Sequence, residues 1–334
     1  MTKLKVAIIG LGNWGECHLR AYQSLGNVEV VAVCDREAER LNKIADAYGI
    51  SARYEQDTDM LARESIDLVS ITTHETEHYL PTIHALKSGR HVIVEQPLAT
   101  NPAAAVEIWK QAIAGKRHLF VPRLLRRLAP LQAVYQAIKE GQIGKLERIE
   151  MTRSRSSELY ASYHRLPTYY ENLIHQMDIA YWLSDSIRFD WMETFGSKAL
   201  ENGIRNIERF DFLFDNGVKG HLSNTWTSPQ QGEAGPLTSG SLTCIGDKGT
   251  ITIDTSEFMF LLGDPWNRDT IKAAGSNKLL DSSYAALREQ LQENCDWILN
   301  QSGFDYSSIK EANMLVDVAD TMLRSIDFKY SVKF

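Results

Sequence analysis

The sequence predicts an α/β fold for the first part of the chain, built on a doubly wound parallel sheet, followed by an α+β region with an open-faced, mostly antiparallel sheet. In the first part, apolar runs such as 28–34 alternate with helical patterns, and such runs are typical of strands buried on both faces. In the second part, turn signals such as 215–217 separate shorter alternating runs, which favours hairpins. We therefore expect two domains, 1–122 and 123–334.

The elements of the first domain follow from its apolar runs and helix-start signals. Asn101 followed by Pro102 indicates the beginning of a helix, because Asn caps helices and Pro favours their first position. The predicted strands are 5–9, 28–34, 67–73, 91–95 and 118–121, and the predicted helices are 14–25, 36–48, 77–88 and one that begins at 102. Ligands of such sheets bind beyond the carboxyl ends of the strands, so we expect the residues that follow these strands to share one crevice.

The second half has a different pattern, with short strands and few helices. The predicted strands are 146–155, 189–198, 208–214, 218–225, 242–245 and 250–253, and the predicted helices are 168–183, 284–301 and 309–326. The last helix either stays in this domain or returns to the first one. The loop 229–240 is rich in Gly, Ser and Pro, which indicates either a mobile segment or an oligomer contact.

A glycine-rich turn, Gly10-Leu11-Gly12-Asn13-Trp14-Gly15, joins the first strand to the first helix. In such a turn Gly10 permits the tight bend, Gly12 lets a pyrophosphate approach the backbone, and Gly15 lets the helix pack closely on the strand. Asp35 follows the second strand, where a carboxylate accepts hydrogen bonds from the adenosine ribose. Together these features predict a dinucleotide-binding site.

Other residues at the same strand ends are candidates for contacts with the cofactor. Trp14 either covers the pyrophosphate or nicotinamide or has a packing role. His74 is expected beside the nicotinamide ribose, where it contacts either the cofactor or the substrate, and His78 has either a cofactor contact or a capping and packing role. The full set of candidates is Gly10, Gly12, Asn13, Trp14, Gly15, Asp35, Arg36, Thr73, His74, His78, Glu95, Gln96 and Pro97.

Composition and charge exclude several classes of partner. The chain has 334 residues, 43% of them hydrophobic and 24% charged, with a net charge of -7, which argues against nucleic acid or an anionic membrane as a general partner. No apolar run approaches the roughly 20 residues that a bilayer requires, so we expect no membrane association. The four cysteines are scattered, which suits reduced thiols and a cytoplasmic location.

Several motifs along nearly the whole chain resemble the Gfo/Idh/MocA oxidoreductase family. They are the glycine turn with His18, residues 73–78, 89–92 and 95–98, Gly141-Gln142-Ile143-Gly144, His175-Gln176-Met177-Asp178 and Gly246-Asp247-Lys248-Gly249. The resemblance implies a Rossmann domain paired with an open-faced antiparallel sheet domain. It also implies oxidation or reduction of carbohydrates or polyols with NAD or NADP, and assembly as a homodimer or homotetramer.

The middle residue of Glu95-Gln96-Pro97 departs from the family pattern. Family members usually carry Glu-Lys-Pro, whose lysine bonds the reacting hydroxyl and assists proton movement. Gln96 can donate a hydrogen bond and position a hydroxyl, but it carries no charge and exchanges no proton. Loss of a charged group beside a developing alkoxide lowers a rate by roughly two to three decades.

A second group of site candidates surrounds His175. On a helix, Glu171, His175 and Asp178 lie on one face, and the resemblance implies that His175 is the acid/base and that Glu171 orients it. The alternative is a structural histidine, either on the helix surface or satisfied by Asp178. Glu171 and His175 also suit a metal by spacing, but no third ligand accompanies them, so we expect no metal.

Basic and aromatic residues near the expected site entrance are candidates for binding the substrate. Arg123 follows the fifth strand, and Arg155 lies on the strand before the loop that holds Tyr163. We expect Arg123 or Arg155 to supply the positive charge that Gln96 lacks, unless the loop is merely solvated. The substrate candidates are Arg123, Arg155, Tyr163, Asn172 and His175.

The sequence thus predicts an NAD(P)-dependent oxidoreductase acting on a secondary alcohol or ketone of a sugar, amino sugar or cyclitol. Asp35 favours NAD because its charge repels a 2′-phosphate, whereas Arg36 could hold that phosphate and permit NADP. Two alternatives remain open, a reductase of a non-carbohydrate unsaturated substrate and a non-catalytic dinucleotide-binding sensor.

Overall fold

The computed structural model describes residues 3–156, 173–186, 188–197, 207–227, 238–255, 277–300, 306–328 and 332–333. The chain divides into two compact units. The first unit is Met1–Leu124 with Asp281–Val316, and the second is Leu125–Leu280 with Asp317–Phe334. The domain boundaries 1–122 and 123–334 stay a prediction.

The first unit is built on a parallel sheet of six strands in the order β3-β2-β1-β4-β5-β6. The strands are β1 (Leu4–Ile9), β2 (Val28–Cys34), β3 (Arg53–Tyr54), β4 (Leu68–Ile71), β5 (His91–Val94) and β6 (Leu119–Phe120). From β1 the strand order continues through β2 to β3 at one edge of the sheet, and from β4 it continues through β5 to β6 at the other edge. The crevice therefore opens beyond the carboxyl ends of β1 and β4, which are hydrogen-bonded neighbours. This arrangement confirms the predicted doubly wound sheet.

Five helices connect these strands, namely α1 (Asn13–Gln23), α2 (Ala38–Tyr48), α3 (Asp57–Arg63), α4 (Tyr79–Lys87) and α5 (Pro102–Gly115). As the sequence predicts, Asn101 caps α5, because its Oδ1 accepts the backbone N–H of Ala104 at 2.9 Å. Helix α2 ends at Gly49, whose φ of +70° suits glycine at a helix C-terminus.

Two parts of the first unit differ from the sequence prediction. The predicted helix 77–88 is a 3₁₀ turn, Glu75–Glu77, followed by α4. The turn forms because the side chain of His74 caps it. Strand β3 and helix α3 were not predicted. Strand β3 has only two residues, Arg53 and Tyr54, and such a pair gives no apolar run.

The second unit is built on a mixed sheet in the order β12-β11-β7-β10-β9-β8-β13. Its strands are β7 (Leu146–Ser156), β8 (Phe189–Gly196), β9 (Ile207–Phe214), β10 (Lys219–Thr227), β11 (Thr238–Gly246), β12 (Thr250–Asp254) and β13 (Val332–Lys333). Among the described strands of this second sheet, only β7 and β10 pair in parallel. The predicted mostly antiparallel sheet is therefore confirmed.

One face of this sheet is an aromatic core and the other is polar. Phe210, Phe212 and Phe214 are at most 2% exposed. Helix α6 (Ala129–Lys139) and helix α7 (Ile174–Ser184) belong to the same unit. The ring of Tyr181 on α7 lies 5.4 Å from that of Phe214, so α7 covers the aromatic face. On the other face, Thr152 and Ser241 share a hydrogen bond of 2.8 Å.

The late helices are α8 (Asn277–Leu299) and α9 (Ser307–Phe328). Within the first unit, Asn27 donates to Asp296 of α8 at 2.8 Å, and the guanidinium of Arg20 lies 3.9 Å from the ring centroid of Tyr284. Residues 281–316 of these helices therefore complete the first unit. In the described part of the chain, every helix is too short or too polar to cross a membrane.

Burial, together with the nearby His118 and Arg117, lowers the pKa of His91 from 6.5 to about 4. At pH values between about 4 and 6.5, His91 is therefore protonated in the unfolded chain and neutral in the folded chain. The free energy of unfolding should therefore fall as pH drops from 6.5 to 4, by up to about 1.4 kcal/mol per pH unit. His91→Gln keeps an acceptor for the N–H of His118, which lies 2.9 Å from His91 Nδ1. Urea unfolding at several pH values should give a shallower slope for this variant, and an unchanged slope would contradict the assignment.

Candidate functional site

The glycine turn packs tightly on one side and is open on the other. A Cβ on Gly10, whose φ is +93°, would lie 2.7 Å from the backbone N of Thr73, and a Cβ on Gly15 would lie 1.9 Å from the carbonyl oxygen of Gly10. A Cβ on Gly12 would have no atom within 4 Å. The open side lies at the N-terminus of α1, where backbone N–H groups favour an anion. This turn therefore fits a pyrophosphate at Gly12.

The two residues that begin α1 differ in their surroundings. Asn13 is exposed, and Trp14 is half-buried. The ring of Trp14 meets that of His18 edge-on, with centroids 5.6 Å apart, which supports the packing role. A contact of Asn13 or Trp14 with the cofactor stays a prediction.

Asp35 lies at the carboxyl end of β2 and is 5% exposed. Its carboxylate accepts the backbone N–H of Leu11 at 2.7 Å and that of Glu37 at 2.9 Å, and Arg40 donates two further hydrogen bonds. Burial raises the pKa of Asp35, but the hydrogen bonds from Arg40 and the backbone outweigh it and hold the pKa below its usual value. Asp35 is therefore ionised at neutral pH. Arg36 beside it is 75% exposed.

The segment after β4 carries Thr73, His74 and His78. Thr72 donates to the carbonyl oxygen of Gly10 at 2.7 Å, which joins this segment to the glycine turn. His74 Nδ1 lies 2.9 Å from Thr76 Oγ1 and caps the 3₁₀ turn. The hydroxyl of Thr73 is buried and has no hydrogen-bond partner among the described groups. Cofactor contacts of Thr73 and His74 stay predictions.

His78 holds two parts of the crevice together. It is 1% exposed, and its Nδ1 and Nε2 lie 2.7 Å from the carbonyl oxygen of Pro97 and 3.2 Å from that of Thr73. Burial lowers its pKa, although the two carbonyl contacts oppose this. A neutral imidazole has one N–H, and the shorter contact indicates that Nδ1 donates to Pro97. These contacts support the packing role, and a cofactor contact of His78 stays a prediction.

Glu95-Gln96-Pro97 follows β5, with a cis peptide bond between Gln96 and Pro97. Glu95 Oε1 lies 2.9 Å from Nε2 of His18, a fully buried residue of α1. The other ring nitrogen of His18 lies 2.9 Å from Ser70 Oγ on β4. The side-chain Nε2 of Gln96 is buried and has no acceptor among the described groups. The crevice therefore holds a buried donor directly after β5.

His175 is half-buried on α7, between neighbours that are buried. Asp178, one turn further on, is 3% exposed. Arg126 donates to both of its carboxylate oxygens, Nε to Oδ2 at 2.9 Å and Nη2 to Oδ1 at 2.7 Å. The predicted partners Glu171, Asn172 and Tyr163 lie outside the described residues, as does the side chain of Arg155.

Arg123 is 8% exposed at the carboxyl side of β6. Its Nη1 lies 2.7 Å from Glu311 Oε2 on α9, and its backbone N–H donates to Gln290 Oε1 on α8 at 3.3 Å. All three residues belong to the first unit. Arg123 therefore joins the late helices to the sheet, and a contact with the substrate stays a prediction.

A row of polar residues on the inner face of the second sheet was not singled out from the sequence. Strand register aligns Gly240, Arg153, Asn224 and Glu208 across β11, β7, β10 and β9. Arg153, Asn224 and Glu208 are at most 3% exposed. Neither side-chain polar atom of Asn224 has a partner among the described residues. The alternation of side chains along a strand predicts the face of the sheet on which each residue lies. Which residues of neighbouring strands lie side by side depends on the strand register, and the sequence alone does not show that register.

Solved structures with this fold are cyclitol dehydrogenases among others. The structure resembles myo-inositol 2-dehydrogenase from Lactobacillus plantarum with a TM-score of 0.82 at 17% identity, covering 100% of both chains. It also resembles scyllo-inositol dehydrogenase from Lactobacillus casei with bound NAD(H) and scyllo-inositol, with a TM-score of 0.80 at 16% identity over 99% of both chains. At these identities the likeness shows the fold.

Sequence relatives include sugar and cyclitol dehydrogenases. Inositol 2-dehydrogenase of Salmonella typhimurium is 30% identical over 183 residues, which are 54% of this chain and 54% of that protein. D-apiose dehydrogenase of Paraburkholderia graminis is 32% identical over 144 residues, which are 43% of this chain and 38% of that protein. The matched part of the chain spans about half the length of the inositol dehydrogenase.

Two glycine substitutions should separate folding from cofactor binding. Gly15→Ala places a Cβ against the backbone of Gly10 and should lower the free energy of unfolding by about 2 kcal/mol. Gly12→Ala meets open space, so it should keep the stability but weaken NADH binding at least about tenfold by obstructing the pyrophosphate. Thermal unfolding and NADH fluorescence titration measure both effects. A Gly12→Ala protein with wild-type NADH affinity would contradict this placement of the pyrophosphate.

The parallel sheet is the part of the chain for which a family is assigned. Residues 4–122 match the family described as "Oxidoreductase family, NAD-binding Rossmann fold", Gfo/Idh/MocA. The same residues hold the glycine turn, Asp35 and the Glu95-Gln96-Pro97 segment. Residues 4–122 of the chain therefore match the NAD-binding Rossmann domain of the Gfo/Idh/MocA oxidoreductase family.

Proposed function

We propose that the chain is an NAD(P)-dependent oxidoreductase that acts on a secondary alcohol or the corresponding ketone of a sugar, amino sugar or cyclitol. The observation that carries this proposal is the buried Nε2 of Gln96, a donor without an acceptor, at the carboxyl end of β5 in an NAD-binding fold. A buried donor left unpaired destabilises a fold, so its retention suggests that a ligand supplies the acceptor. The sugar and cyclitol dehydrogenases among the relatives support a hydroxyl as that acceptor.

Bound NAD supplies the carbon that accepts or returns the hydride. Gln96 donates its N–H to the substrate oxygen and holds it in place, in the alcohol and in the ketone alike. His175 accepts the hydroxyl proton during oxidation and returns it during reduction, because imidazole titrates near neutral pH. Glu171 orients His175, and Arg155, Tyr163 and Asn172 are proposed substrate contacts. Because Gln96 is neutral, His175 carries the proton transfer alone.

Hydride transfer and the roles of Gln96 and His175 can be tested together. Protein mixed with NAD and a panel of sugars, amino sugars and inositols should reduce NAD with one substrate class. Gln96→Leu should lower kcat/KM about 100-fold, and His175→Asn should lower it about 100-fold or more. If both groups act on one hydroxyl, the double variant should lose less than the product of the two single losses.

Two results of that experiment would favour other functions. Turnover of an enone or imine with NADH, and none of any alcohol, would indicate a reductase of a non-carbohydrate substrate. Tight NADH binding without turnover of any substrate would indicate a non-catalytic sensor. Wild-type kinetics in His175→Asn would contradict the acid/base role.

The polar row at Asn224 is a proposed subsite for substrate hydroxyls. Asn224→Leu removes an unpaired buried amide, so the free energy of unfolding should rise by about 1 kcal/mol, whereas kcat/KM should fall about tenfold. Ser223→Ala on the opposite face of β10 is the control and should change neither. Asn224→Leu with lower stability and unchanged kinetics would indicate a purely structural amide.

The polar outer face of the second sheet suggests how the chain assembles. Ile207 and Phe195 on that face are 54% and 41% exposed, and Thr243 and Thr252 on the same face share a cross-strand hydrogen bond of 3.1 Å. We propose that this face is buried in a homodimer or homotetramer, with neither nucleic acid nor a membrane as partner. A monomer mass in light scattering would contradict this.

A further inference from the structure

The carboxylate of Asp35 already accepts as many hydrogen bonds as it can hold. Oδ2 accepts the N–H of Leu11 at 2.7 Å and Nε of Arg40 at 2.9 Å. Oδ1 accepts the N–H of Glu37 at 2.9 Å and Nη2 of Arg40 at 2.7 Å. An ionised carboxylate offers about four lone-pair sites. A ribose hydroxyl can therefore bond to Asp35 only when Arg40 releases it.

Arg40 also changes the charge that a ligand meets at the end of β2. Its two-point contact neutralises Asp35, and Glu37 Oε2 at 2.5 Å from Nη1 holds the guanidinium on this side. The side chain of Arg40 is 37% exposed, whereas that of Asp35 is 4% exposed. The guanidinium therefore covers the carboxylate. Arg40 therefore offsets the repulsion between Asp35 and a 2′-phosphate, while the Glu37 side chain, which is 56% exposed, keeps one negative charge nearby.

A second arginine is next to this pair. Arg36 follows Asp35 directly, and its side chain is 75% exposed, with Nη1 3.9 Å from Glu77 Oε1. Such an exposed and distant ion pair holds its arginine weakly. Guanidinium groups bind phosphate through paired N–H donors. The end of β2 therefore presents two arginines to a 2′-phosphate.

We propose that Arg40 sets the choice of cofactor by competing with NAD for Asp35. For NAD to bind through its ribose hydroxyls, Arg40 must give up at least one of its bonds to the carboxylate. For NADP, the released Arg40 and Arg36 hold the 2′-phosphate. The chain therefore uses both dinucleotides, and Arg40 weakens NAD binding while it strengthens NADP binding.

Binding measurements without substrate test this proposal, so its outcome is separate from that of the proposed activity. Nicotinamide fluorescence should show that the wild-type protein binds NADH and NADPH with affinities within about tenfold of each other. Arg40→Gln frees acceptor sites on Asp35, so NADH should bind about three- to tenfold more tightly. The same variant loses a charged donor, so NADPH should bind at least about tenfold more weakly.

Three further variants make the interpretation specific. Arg53→Gln removes an arginine of the same unit whose Nη1 pairs with Asp46 at 2.8 Å, and it should leave both affinities unchanged. Arg40→Lys keeps the charge but not the two-point contact, so it should retain NADPH binding and still tighten NADH binding. Asp35→Ser should weaken NADH and tighten NADPH. Thermal unfolding of each variant identifies any that fails to fold, in which case Arg40→Lys carries the test.

Opposite shifts for the two dinucleotides would support the proposal. It is overturned if Arg40→Gln weakens both by the same factor, since Arg40 would then only support the fold. It is also overturned if both affinities stay unchanged, or if the wild-type protein fails to bind NADPH at concentrations that saturate it with NADH.

Discussion

The close approach of backbone at the glycine turn is the constraint on which the rest of the site depends. Gly10 lies against Thr73, and Gly15 lies against Gly10, with no room for a side chain at either position. This contact holds β1, β4 and α1 at one fixed spacing, and the hydrogen bond from Thr72 to Gly10 reinforces it. Gly10 and Gly15 lie on the packed side of the turn, whereas Gly12 lies on the side that faces open space. This open side is where we propose that the pyrophosphate binds.

Buried histidines extend this fixed geometry to the neighbouring segments. His18 lies between Ser70 and Glu95, and His78 lies between Thr73 and Pro97. Both connect the ends of β4 and β5 through groups that water does not reach. Gln96 lies between the two anchored residues Glu95 and Pro97, and its buried Nε2 has no acceptor among the described groups. The segment after β5 thus holds a buried neutral donor, and we propose that this donor positions the substrate oxygen while another group transfers the proton.

The first sheet and its cofactor turn could be predicted because their signals are local. Apolar runs fix the long strands, and glycine spacing fixes the turn. Two ion pairs could not be predicted, Arg126 with Asp178 and Arg123 with Glu311, because the partners are far apart in the sequence. Even Arg40, five residues after Asp35, was missed, because spacing on a helix does not show that a guanidinium turns back to the preceding strand.

Amide hydrogen exchange with and without NADH tests the central claim, that the dinucleotide binds along the carboxyl ends of β1, β2, β4 and β5. NADH should slow exchange at 10–16, 35–37, 73–78 and 95–98, the segments that follow these four strands. Exchange in the second sheet, 207–227, serves as the internal reference. Protection that spares the glycine turn, or that appears only outside these four segments, would contradict this placement of the dinucleotide.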